Sequence, residues 1–305
     1  MNVFWQGTDI TGYVTVSDIT ARDTCGGRSD SLDIEFENAE SWYRWGPKDD
    51  DEISVEQDGW ESGTMYLNTI APGDGKYRVL ATSLPCKARQ KQWDSFENKT
   101  IEEIMRKCAA QSGMDFQIFG IEKSTRIPYI MRENESCASF LNKIATLEGA
   151  LFKVINGKYT LIGIQYAQER RPISEISITA DQDGVDYKKS GGTLRGLSII
   201  TPYAKGEAKD SAVDDGKAKE EITHLPALNN IQAARWARNI LTAKNRKCES
   251  VEIKSEFHPA WSALSRINIS GGTDADGEWL IEEVEHDIEK DRSSAILYRC
   301  IGSIS

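Results

Sequence analysis

The chain is poor in histidine, with three in 305 residues. It has no Gly-x-Ser-x-Gly, no His-Glu-x-x-His and no glycine-rich phosphate loop. His224, His258 and His286 lie far apart, so the sequence signals no histidine-based catalytic centre. No apolar run approaches the ~18 residues needed to span a bilayer, which excludes insertion through a helix. The opening MNVFWQGTD has neither the basic start nor the apolar stretch of a secretory signal, and the expectation is synthesis and folding in a cytoplasm. The six cysteines, Cys25, Cys86, Cys108, Cys137, Cys248 and Cys300, include no CxxC pair. That excludes the closely spaced metal and redox signatures and argues against a disulfide framework. Basic clusters are also scarce: 37 Lys and Arg stand against 48 Asp and Glu, a net charge of −11, and the one dense basic segment is KARQK at 87–91. Sequence-specific nucleic-acid binding, which displaces phosphate counterions with clustered cations, is therefore not expected.

Carboxylates are plentiful, but their spacing is wrong for chemistry. Asp181-Gln182-Asp183-Gly184 and Asp274-Ala275-Asp276-Gly277 look like calcium loops, yet glycine comes fourth where the calcium loop has it sixth. They read as Asp-Gly turns. Glu282 and Glu283 are adjacent and point to opposite faces of a regular strand, though a bulge could bring them together, which weakens the reading as the facing pair that glycoside hydrolysis needs. Trp5, Trp42, Trp45, Trp60, Trp93, Trp236, Trp261 and Trp279 are spread evenly, without the cluster of a carbohydrate platform. They are expected to be core or interface anchors. The expectation is no catalytic, cofactor-binding or metal residues, and thiols that are structural.

What is present is a pattern written twice. Ile53-Ser54-Val55, Asp58-Gly59-Trp60, an extended 64–70, a turn at Pro72-Gly73-Asp74-Gly75 and 77–82 form one three-strand meander. Ile267-Asn268-Ile269, Gly277-Glu278-Trp279, 280–288, a polar turn at 289–292 and 295–300 form the other. In the second, Trp279 and Ile281 share one phase while Val284, His286 and Ile288 share the other, a slip that places a bulge between Glu282 and Glu283. Strands at this spacing read as sheets curling towards a barrel or sandwich.

Between the two meanders the periodicity changes. Thr100 and Glu103 form a capping box before Ile101, Ile104, Met105 and Cys108, a helical stripe that ends at Gly113. Cys137, Phe140, Leu141, Ile144 and Leu147 form a second stripe closed by Gly149, and Asn156-Gly157 marks a hairpin. The fold class is thus α+β, mainly β: two related antiparallel β-barrel-like domains with an inserted small α+β module. The boundaries are 1–97 for the first β-domain, 98–165 for the insert and 166–305 for the second β-domain. The last contains a charged loop at 205–223, poor in large apolar groups, and one helix capped by Asn229 or Asn230.

This order resembles the phage late control protein D family, the hubs of contractile-tail baseplates akin to the N-terminal part of VgrG spikes. The likeness is carried by KTIEEIMRKCAAQSG at 99–113, ENESCASFLNKIATLEG at 133–149, the following Leu151-Phe152-Lys153-Val154 with Gly157-Lys158-Tyr159-Thr160-Leu161, and the stretch 233–253. It is clearest over 99–165 and weaker over 1–60. The resemblance implies a structural, non-enzymatic, tail-tube-like protein that forms a homotrimeric ring. Such a ring adapts a six-fold tail tube to a three-fold spike in a phage or tailocin (tail-like bacteriocin) virion particle assembled in the bacterial cytoplasm. Implied partners are a spike protein, a tail tube or tube-adaptor protein, the baseplate wedge, and a tape-measure protein in the channel. VgrG-like proteins continue into a fused needle; this chain stops at Ser305, and the expectation is a separate spike. The rival readings are a cell-wall (peptidoglycan) hydrolase of the same particle and a monomeric β-rich glycan- or receptor-binding module.

Overall fold

In a computed structural model of the chain, residues 1–305 other than 38, 74, 178–183, 303 and 305 are described. Alternating stretches become strands because one face can then be buried at every second residue. Ser31–Phe36 buries Leu32, Ile34 and Phe36 and leaves the residues between them partly open. Among the described residues, fourteen strands join in one sheet. Its path runs Val185–Lys189, Glu249–Glu256, Arg292–Arg299, Gly277–Asp287, Val16–Thr24, Ser31–Phe36, Lys76–Thr82, Met65–Gly73, Glu52–Gln57, Asn2–Trp5 and Thr8–Asp9. Trp60–Glu61 and Arg266–Ser270 branch from it, and Ser174–Ser177 adds to the latter in parallel.

That sheet contains one five-strand order twice. Val16–Thr24, Ser31–Phe36, Lys76–Thr82, Met65–Gly73 and Glu52–Gln57 form the first unit, every neighbour antiparallel. Val185–Lys189, Glu249–Glu256, Arg292–Arg299, Gly277–Asp287 and Arg266–Ser270 form the second in the same way. Both middle strands carry a register shift at one place, between Leu67 and Thr69 and between Ile281 and Glu283. The bulge read from the sequence is therefore present, with Glu282 the unpaired residue and Asn68 its counterpart. The ladders also correct the alignment of the repeat. Ile53 faces Met65 and Ile267 faces Trp279, so Met65 corresponds to Trp279. Trp60, which the Gly-Trp pattern had matched to Trp279, sits on a separate two-residue strand opposite Gln57.

The module between the units is built from well-marked helices. Thr100 accepts the Glu103 amide at 3.1 Å while the Glu103 carboxylate accepts the Thr100 amide at 2.8 Å, and the helix Ile101–Ser112 ends at Gly113 in the left-handed region. Ser136 caps Cys137–Leu147. Ala150–Ile155 and Lys158–Gly163 pair across Asn156-Gly157, both with positive φ. Asp115–Phe119 adds in parallel to Lys158–Gly163. Strand Gln92–Thr100 pairs with Arg126–Glu135, and Phe96 stacks on Phe140 at 5.2 Å inside this core.

Two features of the chain after 166 differ from the sequence reading. The helix Asn230–Arg246 and strand Gly196–Ile200 pack into the module's core, where Trp236, Leu241, Leu197 and Ile199 join Phe140 and Ile144. The segment 205–223, expected as a loop, contains strands Lys205–Lys209 and Lys219–Ile222 on either side of Gly196–Ile200. The physical reason is close approach: Gly206 and Ala208 are the buried positions of Lys205–Lys209. A Cβ on Gly206 would collide with the backbone of Ala233 and Ala234 in the long helix. Small residues suffice where helix and strand nearly touch, so a scarcity of large aliphatics was the wrong signal for a loop.

Candidate assembly interface

The two units are joined by a strand seam. Residues 283–287 of the second unit's middle strand pair antiparallel with residues 20–24 of the first unit's outer strand, from Glu283 opposite Thr24 to Asp287 opposite Thr20. On the outer face Arg22 Nε donates to Glu285 Oε2 at 2.6 Å, a half-exposed cross-strand pair. On the inner face His286 is fully buried, with Nδ1 2.8 Å from Ser293 Oγ and Nε2 3.2 Å from the Trp261 carbonyl. Trp60 and Phe257 meet its ring edge-on at 5.2 Å each. Burial pushes the His286 imidazole down to about 4, because the charged ring would lose its hydration.

The module grips the end of this seam from two sides. The bulge turns Glu282 out of the pleat: its carbonyl accepts the Cys25 amide, and its carboxylate accepts from Arg246 at 2.5 Å and from Lys247. Arg246 lies in the last turn of the long helix and is 1 % exposed. On the other side Lys153, from the hairpin strand Ala150–Ile155, reaches Asp23, lies 3.4 Å from Asp30 and donates to the Thr24 carbonyl at 3.4 Å. Asp30 accepts the Thr24 amide at 2.8 Å, and Asp23 accepts the Ala263 amide at 3.1 Å. Burial pushes the Lys153 amine down to about 7 and the Asp30 carboxyl up to about 7. Each is disfavoured as an ion on its own, so the cluster holds only while its members stay together.

The sequence's other candidates are dispersed. His224 is exposed, whereas His258 stacks on Trp261 at 5.0 Å and its amide donates to the same Ser293 hydroxyl that meets His286, a backbone contact that leaves its ring out of the hydrogen bonding. Asp181 and Asp183 lie outside the described residues. Asp276 accepts the Gly272 and Thr273 amides at 2.9 and 3.2 Å, and the Asp274 and Asp276 carbonyls accept from Arg299: this is a turn. Glu283 pairs with Arg28 at 3.3 Å and Glu282 with the helix, so the adjacent carboxylates serve separate partners. Among the described residues no group of three or more His, Cys, Asp or Glu is placed to hold a metal ion. Cys25, Cys108 and Cys137 are buried thiols, Cys86 is exposed, and Cys248 and Cys300 are intermediate.

Tryptophan is where the even spacing in sequence misled. Trp5, Trp42 and Trp45 converge with ring centroids 5.6 to 5.9 Å apart, and Phe36 and Tyr77 flank Trp42. Trp42 is fully buried, so the group plugs the first unit's core. The helix Ala39–Trp45 carries two of its members. Three residues distant in sequence meet because the strand Asn2–Trp5 pairs with Glu52–Gln57 on the sheet that this helix packs against. The 87–91 segment contributes Ala88 to the module core and leaves its cations at the surface.

No family model and no curated protein sequence matches the chain. Solved structures do. A tail protein from Neisseria meningitidis MC58 superposes with a TM-score of 0.75 at 12 % identity, covering 98 % of this chain and 95 % of that one. A 43 kDa tail protein of prophage MuSo2 from Shewanella oneidensis gives 0.69 at 14 % identity, covering 98 % and 96 %. An E. coli component of the type VI secretion system, described as similar to the T4 bacteriophage tail proteins gp27 and gp5, gives 0.63 at 12 % identity over 99 % of this chain and 77 % of that one. Identities this low speak to architecture: the chain has the mainly β fold of these tail proteins from end to end.

Proposed function

We propose that this chain is a structural component of a phage tail or tail-like particle, and within it a trimeric baseplate hub that adapts a six-fold tube to a three-fold spike. The observation that carries this reading is the five-strand order that occurs twice in one continuous sheet, with the bulge at the same rung of each middle strand. Three chains then offer six near-equivalent units around an axis, and a closed cyclic arrangement leaves no face for runaway polymerisation. The fold shared with tail proteins supports the particle, and the doubled unit supports the symmetry match. Spike, tube or tube adaptor, wedge and tape-measure protein are the partners this role requires.

Three copies at −11 each place −33 around one axis, so ring assembly is expected to strengthen as salt screens the repulsion. Native mass spectrometry and sedimentation of the chain, alone and with the tube and spike proteins of its own particle, test the reading. A trimer that binds spike is the expected result. A chain that stays monomeric throughout and binds neither protein overturns the hub. The hydrolase reading predicts release of fragments from purified peptidoglycan, and the hub reading predicts none.

A further inference from the structure

The joint inside the chain has an unmade copy. In the second unit the middle strand uses one edge twice: residues 277–280 pair with Arg266–Ser270, and residues 283–287 pair with the first unit's outer strand. In the first unit the corresponding edge is used once. Met65 and Tyr66 pair with Glu52–Gln57, and residues 69–73 have no strand beside them on that edge among the described residues. Thr69, Ala71, Pro72 and Gly73 are exposed there, whereas the paired copy buries Val284 and His286. The second unit's outer strand Val185–Lys189 is open in the same sense, with Glu249–Glu256 its single partner among the described residues.

We infer that residues 69–73 of one copy pair antiparallel with residues 186–190 of a second copy, repeating between chains the joint made within each. This rests on the ring reading above and gives it a register. The shared bulge equates 69–73 with 283–287, and the ladders to Ser31–Phe36 and Glu249–Glu256 equate 20–24 with 186–190. Carrying over the internal pairing sets Thr69 opposite Ser190, Ala71 opposite Lys188 and Gly73 opposite Asp186. Ile70 and Pro72 then lie on the core face with Tyr187, whose ring packs beside Trp279.

The copy is weaker than the original, for two reasons visible in the residues. The Ile288 amide donates to the Ile19 carbonyl at 3.1 Å. Alternation then points the His286 amide at its partner strand as well, and its counterpart Pro72 has no N–H to give. The Arg22–Glu285 ion pair becomes Lys188 beside Ala71, with no opposite charge across the seam. Proline and lysine on an open edge are the usual guards against indiscriminate strand addition. The isolated chain therefore associates weakly and the ring closes on a template.

Disulfide trapping tests this directly. Ala71 and Lys188 would form a non-hydrogen-bonded pair, whose Cα separation of ~4.5 Å suits a disulfide. Ala71→Cys with Lys188→Cys, in a chain whose exposed Cys86 is Ser, should give covalent closed trimers under oxidation. Ala71→Cys with Asp186→Cys, two residues out of register, should give few. Separately, Pro72→Ala restores one donor and should tighten self-association roughly 2- to 10-fold; an unchanged association constant overturns the assigned rung. Trimers seen by sedimentation that fail to cross-link overturn the seam and leave the ring reading intact. Absence of trimers under every condition overturns the ring reading itself. A ladder of species beyond the trimer overturns closure.

Discussion

The first and second β-units share strand order, hairpin register, bulge position and several aliphatic core rungs, yet differ in side chain where each meets the rest of the molecule. At the unpaired position of the bulge one has Asn68, exposed, and the other Glu282, buried and ion-paired to the module. At the seam rung one has Pro72, exposed, and the other His286, buried. The core of the first is plugged by three tryptophans and a short helix, whereas the second is filled by Trp261 and Trp279. The comparison teaches that backbone hydrogen bonding and the period of two keep an architecture constant, while the residues at equivalent rungs diverge according to what each copy must touch. Equivalent in the ladder, they are opposite in exposure.

The largest effect is expected where both units depend on a third region. Phe140→Asp removes a fully buried ring stacked on Phe96 and puts a carboxylate in its place. The lost ring alone costs about 3–5 kcal/mol, and the unpaired polar group adds more. Far-UV and near-UV circular dichroism should show the module's helices lost, including Asn230–Arg246, while much of the strand signal persists. Unchanged melting would mean that the stripe is not a core face.

The bulge offers a sharper contrast. Glu282→Ala leaves Arg246 buried without its carboxylate and should cost about 3–5 kcal/mol in urea unfolding. Asn68→Ala, the same rung of the other unit but exposed, should stay within about 0.5 kcal/mol. Equal costs at the two positions would break the comparison. At the seam rung the contrast is one of pH. His286 is held neutral down to about 4 in the folded chain against 6.5 for a free imidazole. The unfolded chain therefore binds the extra proton first, and the contribution of His286 is present above pH 6.5 and lost as pH falls towards 4. The loss should reach roughly 3 kcal/mol relative to His286→Gln. Pro72→Ala should show no such pH dependence. The smallest effect is expected at a local cap: Thr100→Ala should cost about 1 kcal/mol and shift both units' strand signals not at all.

Much of this fold was legible because its signals are local. Thr100 with Glu103, Ser136 before Cys137 and Asn229 before the long helix each satisfy amides one turn away, so the capping residues are readable in order along the chain. Asn156-Gly157 names its own turn, and the phase slip from Ile281 to Val284 names its own bulge. The sites are another matter. No local signal says that Lys153 will meet Asp23, 130 residues away, or that Trp5, Trp42 and Trp45 will share a core. The 205–223 segment was misread because its apolar content is small residues, whose burial depends on a helix laid close above them.

By itself, then, the sequence determined periodicity, caps and turns, since each is set within one element and its flanks, and the doubled meander, which shows as a repetition of those local signals. Tertiary structure alone decided that Met65 and not Trp60 answers Trp279, and that the long helix belongs to the module. It also decided that the two units fuse through residues 20–24 and 283–287 while, among the described residues, one edge each of 69–73 and 186–190 has no strand beside it. The reason is that strand edges are chemically alike: every backbone offers the same donors and acceptors, so which edges meet is chosen by the packing of distant faces.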